Sequence, residues 1–202
     1  MANEVPGFLG AVYIQDDNLP FTKEAMTSNL TFNKYSITDL DKKFWDDEQS
    51  IIVYVNDVVV PTGFTIQQCG GIINFFVPLT ALDVVTVSGH YFSVVQGAGF
   101  YNFKITIQRK EIDTSSFGIR WKQNIVVIGD WSATCGKFFY DSTFSDKLGA
   151  KNVFVFYADI DSNDRYEGYG FIKKSGINTD STDVIKEDID ITGTGKIYWA
   201  EN

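Results

Sequence analysis

The chain has 202 residues, enough for one sizeable core with room for an inserted subdomain. A hydrophobic content of 44% and an aromatic content of 15% exclude a disordered chain, and the 17 Phe, 10 Tyr and 4 Trp favour strands over helices. The net charge of −9 argues against gripping nucleic acid or an anionic membrane, both of which need an excess of Lys and Arg.

Residues 8–15 read as a first strand or an extended arm, ended by the turn-forming Asp16-Asp17-Asn18. A strand is expected over 30–37, with Phe32, Tyr35 and Ile37. The charged run 38–50 reads as a loop with at most one helical turn. Two compact hairpins follow. Ile51 to Val55 and Val58 to Val60 flank Asn56-Asp57, and Phe64 to Cys69 and Ile72 to Val77 flank Gly70-Gly71. These turn pairs tolerate the positive φ that tight hairpins demand. Two short strands, 84–88 and 90–95, are expected around Gly89. Residues 40–95 thus read as a small β-hairpin insertion in a single domain spanning 1–202.

Gly97-Ala98-Gly99 marks a break. Beyond it, Tyr101 to Gln108 alternates apolar and polar residues without a slip. Strands are also expected over 131–140, 153–157, 166–174 and 187–199, with a short helix over 142–149 that a Ser or Thr caps and Gly149 stops. Val153 to Tyr157 is apolar on both faces and reads as a strand buried on both sides. In the last strand Ile189, Ile191, Ile197 and Trp199 share one face with Gly193 and Gly195, and Asp188, Asp190, Thr192 and Thr194 share the other. Long strands of this kind expose backbone edges unless something covers them, and closing strands into a ring removes those edges.

Little in the chain resembles a catalytic centre. The sole histidine, His90, builds neither a triad nor a histidine-rich metal site. Asp159-Ile-Asp161-Ser-Asn163-Asp164 begins like a calcium loop but has Asp164 where the turn glycine belongs and Gly170 where the closing glutamate belongs, so it reads as a solvated turn. Gly193-Thr194-Gly195-Lys196 lacks the spacing of a phosphate loop and lies within a strand, where glycine marks a bulge or a close neighbouring backbone. Asn29-Leu30-Thr31 matches a glycosylation acceptor only by its triplet. The acids Asp180, Asp183, Glu187, Asp188 and Asp190 read as a solvated face. Cys69 and Cys135 lie in different segments and read as reduced packing residues, giving no disulfide framework and no metal pattern. The N-terminus shows no secretory leader and no apolar run approaches a membrane span of roughly 20 residues, so a cytoplasmic site of synthesis is expected. No catalytic residue, cofactor or metal is expected.

Four stretches of the second half, taken in order, resemble the major tail tube proteins of long-tailed bacteriophages and prophages. They are Ala98 to Ile107 leading into Glu111 to Gly118 and Trp121-Lys122, Asp130 to Thr134 running into Phe138 to Tyr140, Gly168 to Lys173, and Ile185 to Gly195. The hairpins of 51–95, ending in Val87-Ser-Gly-His-Tyr91, are similar to the N-terminal parts of such proteins. The resemblance covers roughly residues 50–199. It implies a mainly β fold, a β-sandwich or partial barrel with one flanking helix, in a structural protein that is not an enzyme. Six copies would form a ring, each lending about four long strands to one multi-subunit β-barrel. The rings would stack into a tube that conducts DNA into the host without binding it specifically. The implied partners are further copies of the chain, a tape-measure protein, a tail terminator and baseplate or tail-tip proteins. The implied location is the virion tail, assembled in the host cytoplasm.

On that reading Asp188, Asp190, Thr192 and Thr194 are the candidates to face the lumen, where carboxylates repel phosphate. Phe117 and Trp121, in a polar loop over 110–124, are candidates for ring stacking; the alternative is that they tuck into their own subunit. Phe44 and Trp45 in the charged loop are the rival stacking anchors. The competing functional class is an immunoglobulin-like β-sandwich that binds carbohydrate or a cell surface through exposed aromatics.

Overall fold

The computed structural model describes residues 10–113, 124–139, 141–179 and 184–200. They form two compact units, one comprising 14–95 and the other 10–13 with 96–200. The fold is mainly β, with one short helix. The 14–95 unit therefore begins well before residue 40, because the first strand supplies part of its core.

In chain order the 14–95 unit holds most of β1 (Ala11–Ser28), then β2 (Lys34–Ile37), a 3-10 turn (Leu40–Lys42), β3 (Ile52–Val55), β4 (Val58–Val60), β5 (Phe64–Gln67), β6 (Ile72–Phe75) and β7 (Val85–Gln96). Its sheet runs β4-β3-β7-β1, and β2 joins β1 to the β5–β6 hairpin. The expected turn at Asp16-Asp17-Asn18 is instead the middle of β1. The strand continues there because β1 pairs with β7, whose serine hydroxyls also take up two of its amides: Ser93 accepts from the Asp17 N–H at 3.1 Å and Ser88 from the Lys23 N–H at 2.8 Å. Likewise β7 passes through Gly89 as one strand where two were expected. The Asn56-Asp57 hairpin is as expected, with φ of 51° and 66° and Val55 paired with Val58. In the second hairpin Gln67 pairs with Ile72, so the loop spans four residues and includes Cys69. The core gathers Phe21, Tyr35, Ile37, Trp45, Val53, Ile73 and Val87.

The other unit holds β8 (Phe100–Asp113), β9 (Asn124–Phe138), α1 (Thr143–Asp146), β10 (Lys151–Asp159), β11 (Asp164–Asn178) and β12 (Lys186–Ala200). Its sheet runs β10-β11-β12-β9-β8, antiparallel throughout. Val153, Phe154, Val155 and Phe156 are all buried, as a strand covered on both faces requires. The helix is shorter than expected, and Ser142 donates to Asp146 at 2.6 Å instead of capping a backbone amide. Gly149, at φ 75°, follows it.

This sheet curls. Phe103 of β8 and Phe156 of β10, at its two ends, bring their rings to 5.7 Å, and Trp131 of β9 meets Phe156 at 6.2 Å. No backbone pairing joins β8 to β10, so the sheet is not closed into a barrel. A groove of about 690 Å³, lined by Gly10, Ala11, Phe100 to Phe103 and Ala158, runs beside the first residues of β8.

Candidate functional site

Four strands of 14 or 15 residues lie side by side in the order β8-β9-β12-β11. Their register sets side chains in rows. Asn102, Gly136, Asp188 and Gly176 form one row, Lys104, Thr134, Asp190 and Lys174 the next, and Thr106, Ser132, Thr192 and Phe171 a third. Because a strand turns alternate residues to one side, these rows share a face. That face is mostly hydrophilic: Asn102, Lys104, Thr106, Ser132, Thr134, Lys174 and Asp188 are exposed, Asp190 and Thr192 are half-buried, and Phe171 is an exposed ring in the third row.

Three of the four lumen candidates, Asp188, Asp190 and Thr192, therefore stand together on this face. The fourth, Thr194, is half-buried and pairs with Tyr169, which is itself buried. Asp190 is directly opposite Lys174 of β11. The face is thus a mixture of hydroxyls, amides and both charges, more balanced than the acids of β12 alone suggest. Lys104, Thr106, Ser132 and Thr134 belong to it as well. The alternation of β8 marks the first two, and the alternation of Ser132 and Thr134 with Trp131, Ala133 and Cys135 marks the others.

The opposite face is packed. Ile189 and Ile191 are buried, and so is Cys135, a free thiol pushed up to about 12 by desolvation and then by the nearby Asp190 carboxylate. Trp131 lies across a slot of glycines: a Cβ on Gly193 would come within 2.2 Å of its ring, and one on Gly168 or Gly170 within 3.2 Å. Gly193 thus marks a close approach, and Gly195, at φ 75°, a bulge. This face also buries Lys137 and Glu187, register partners whose Nζ and Oε2 lie 3.3 Å apart. Ser175 donates to the other Glu187 oxygen at 2.6 Å, and the Lys137 ammonium sits 4.7 Å above the Phe144 ring.

Two edges of the four-strand array carry no partner strand among the described residues. One is the whole outer side of β8. The other is the end of β11, because the β10 pairing stops at Lys151 opposite Phe171, which leaves residues 173–178 beyond it.

Phe44 and Trp45, the rival stacking candidates, are packed within their own chain. They are 2% and 0% exposed, inside the 14–95 unit. Backbone bridges from Phe44 to Cys69 and from Trp45 to Tyr91 hold the charged loop down, and the Trp45 ring stacks on Phe21 at 6.0 Å. Phe117 and Trp121 lie outside the described residues. The expected loop over 110–124 is strand at both ends, since β8 reaches Asp113 and β9 starts at Asn124. The acidic Asp159–Asp164 stretch is a hairpin turn in which Asp159 accepts from the Asp161 N–H at 2.9 Å. Among the described residues no three His, Cys, Asp or Glu side chains converge to hold a metal, and no helix is long and apolar enough to cross a membrane.

No protein-family model and no curated protein matches this sequence. Among solved structures, the chain is similar to one from the virion of a native gene transfer agent particle, at 14% identity and a TM-score of 0.43, covering 54% of this chain and 88% of that one. It is also similar to a chain from the tail of an empty gene transfer agent particle with C6 symmetry, at 15% identity and a TM-score of 0.44, covering 55% and 87%. Likenesses of this strength do not assign a role.

Proposed function

We propose that this chain is a structural subunit of a phage-like tail tube, and that six copies close into a ring through their β8-β9-β12-β11 arrays. The observation that carries the reading is that these four long strands have one hydrophilic face and two open edges. An open edge offers unpaired amides and carbonyls that a strand from another copy satisfies. An even number of antiparallel strands keeps the alternation when copies join head to tail, so β8 of one copy meets β11 of the next in antiparallel sense. The groove beside β8 leaves room for that strand. Sequence supports the same reading, since the segments that resemble tail tube proteins fall largely on these strands.

The hydrophilic face then lines the lumen, and the ring of six carries a formal charge of −54 from six chains at −9 each. In the three rows Lys104 and Lys174 are matched in number by Asp188 and Asp190, so the wall offers phosphate no net positive charge to grip, and DNA slides past without sticking. The subunit acts by assembly. It belongs to the virion tail, with the tape-measure, terminator and tip proteins as neighbours. Negative-stain microscopy of the concentrated, purified protein tests this. Rings or tubes with a central channel are expected, and a uniform population of monomers overturns the reading.

A further inference from the structure

We infer that Ser175 is a positioning residue for ring closure: through the buried Glu187 it holds the open end of β11 as a formed strand edge, ready for β8 of the next copy. The inference rests on the ring reading and names what keeps one of its two edges in order.

The open end of β11 has little of its own to keep it extended. Where the β10 pairing stops, the Gly149 N–H donates to the Ile172 carbonyl at 3.0 Å. Residues 173–178 then have β12 as their one partner strand among the described residues. A register shift interrupts that ladder between Ile172 and Lys174, and Gly176 follows it. Lys173, Lys174, Ile177 and Asn178 are exposed, so apolar burial does not hold the stretch down. Ser175 is half-buried, and its hydroxyl reaches the interior.

That hydroxyl donates to Glu187 Oε1 at 2.6 Å, and Oε2 of the same carboxylate lies 3.3 Å from Lys137 Nζ. Lys137 in turn lies 3.4 Å from Asp141 Oδ1 and against the Phe144 ring of α1. One hydroxyl thus ties the strand end to β12, to β9 and to the start of α1. Because Glu187 is sealed from solvent, water does not compete for its oxygens, and a hydrogen bond to a charged acceptor is strong there.

The anchor sits where the edge needs it. Lys174 and Gly176, on either side of Ser175, lie in the rows of Lys104 and Asn102. The open end of β11 and the start of β8, with the groove beside it, therefore stand at the same level of the array. A frayed end has to be ordered before it pairs, and each residue fixed costs conformational entropy. A strand already formed meets β8 without that cost, as preorganised interfaces do.

The test compares the wild type, Ser175→Ala and Ser175→Thr. It reads hydrogen exchange of the dilute subunit, thermal unfolding, and the protein concentration at which rings appear by negative-stain microscopy. In Ser175→Ala, exchange at residues 173–178 is expected to speed up at least about tenfold while β9 and the rest of β12 keep their protection. The ring-forming concentration should rise at least about tenfold, as loss of one hydrogen bond to a buried charge predicts. Ser175→Thr, which keeps the hydroxyl, should restore both. Unchanged exchange at 173–178, or a loss of protection shared equally by β9 and β12, overturns the positioning role. Faster exchange with an unchanged ring-forming concentration also overturns it and leaves the ring reading intact. If Ser175→Ala unfolds early, Lys137→Met with Glu187→Leu removes the acceptor without stranding a buried charge and is read in the same way. A wild type with no rings at all overturns the ring reading first, and the positioning role with it.

Discussion

Lys137 of β9 and Glu187 of β12 stand directly opposite each other, Nζ to Oε2 at 3.3 Å, with side chains 1% and 0% exposed. The Glu187 Oε2 makes no hydrogen bond, so the ammonium is what compensates it. Two charges sealed in this way attract strongly only to offset the cost of leaving water, and removing Lys137 strands Glu187, whereas Lys137 without Glu187 keeps Asp141 at 3.4 Å. Lys137→Met is therefore expected to lower stability by about 3–5 kcal/mol, whereas Lys137→Met combined with Glu187→Leu recovers most of the loss. Urea unfolding of the wild type, both single variants and the double variant checks this. Additive losses in the double variant sink the account.

The glycine slot gives a second expectation. A methyl on Gly193 would sit inside the Trp131 indole, whereas one on Gly195 meets nothing within 4 Å and is opposed only by its φ of 75°. Gly193→Ala is expected to cost about 2–3 kcal/mol through overpacking and to shift Trp131 fluorescence to the red. Gly195→Ala is expected to cost about 1–2 kcal/mol through left-handed backbone strain and to leave the fluorescence alone. Equal spectral shifts in the two variants would mean that the slot does not hold the ring.

Burial also fixes the behaviour of Cys135. Its thiol, pushed up to about 12, stays neutral in the folded chain where an exposed thiol ionises. Native protein at pH 8 should not react with a thiol reagent at this position, and unfolded protein should. Above pH 9 the unfolded chain releases the thiol proton and the folded chain does not, so this group makes stability fall as pH rises from about 9 towards 12. Cys135→Ala should flatten that part of a pH–stability profile. An unchanged slope would show that the thiol is not the group responsible.

What the sequence reveals here follows from how local each signal is. The alternation in β8 and β12 and the Asn56-Asp57 turn are properties of neighbouring residues, and the structure has them. The run through Asp16-Asp17-Asn18 looks like a turn because its strand is polar on both sides, and it is held extended by distant partners: the pairing of β1 with β7, the Ser93 hydroxyl on the Asp17 N–H and the Asp46 carboxylate on Asn18. Trp45 looks exposed because its neighbours in sequence are charged. Its actual surroundings are Phe21, Tyr91 and the backbone of the 14–95 unit, which no local window contains. The Lys137–Glu187 pair did leave a trace, since both residues fall on the apolar parity of otherwise alternating strands. Parity alone puts Asp188, Asp190 and Thr192 on one face, but their cationic neighbours Lys104 and Lys174 emerge only from the register of four strands.

Those neighbours sharpen the last expectation, which concerns the proposed lumen. Asp190 faces Lys174 across β11, and the Lys104 of β8 shares its row, so its charge is partly compensated. Asp188 has Gly176 on one side and Gly136 on the other, with no cation directly opposite. Asp188 is thus the acid that projects the stronger field into the channel. Asp188→Lys should slow DNA passage by itself. Asp190→Lys should also lower subunit stability by about 0.2–1 kcal/mol, because it sets like charges across a strand pair. The two replacements together should hold polyanions inside tubes that still assemble, and added salt should release them. The rate of DNA delivery, or DNA retained by isolated tubes at low and high salt, measures this. Tubes of the double variant that pass DNA at the wild-type rate would place these carboxylates away from the channel wall.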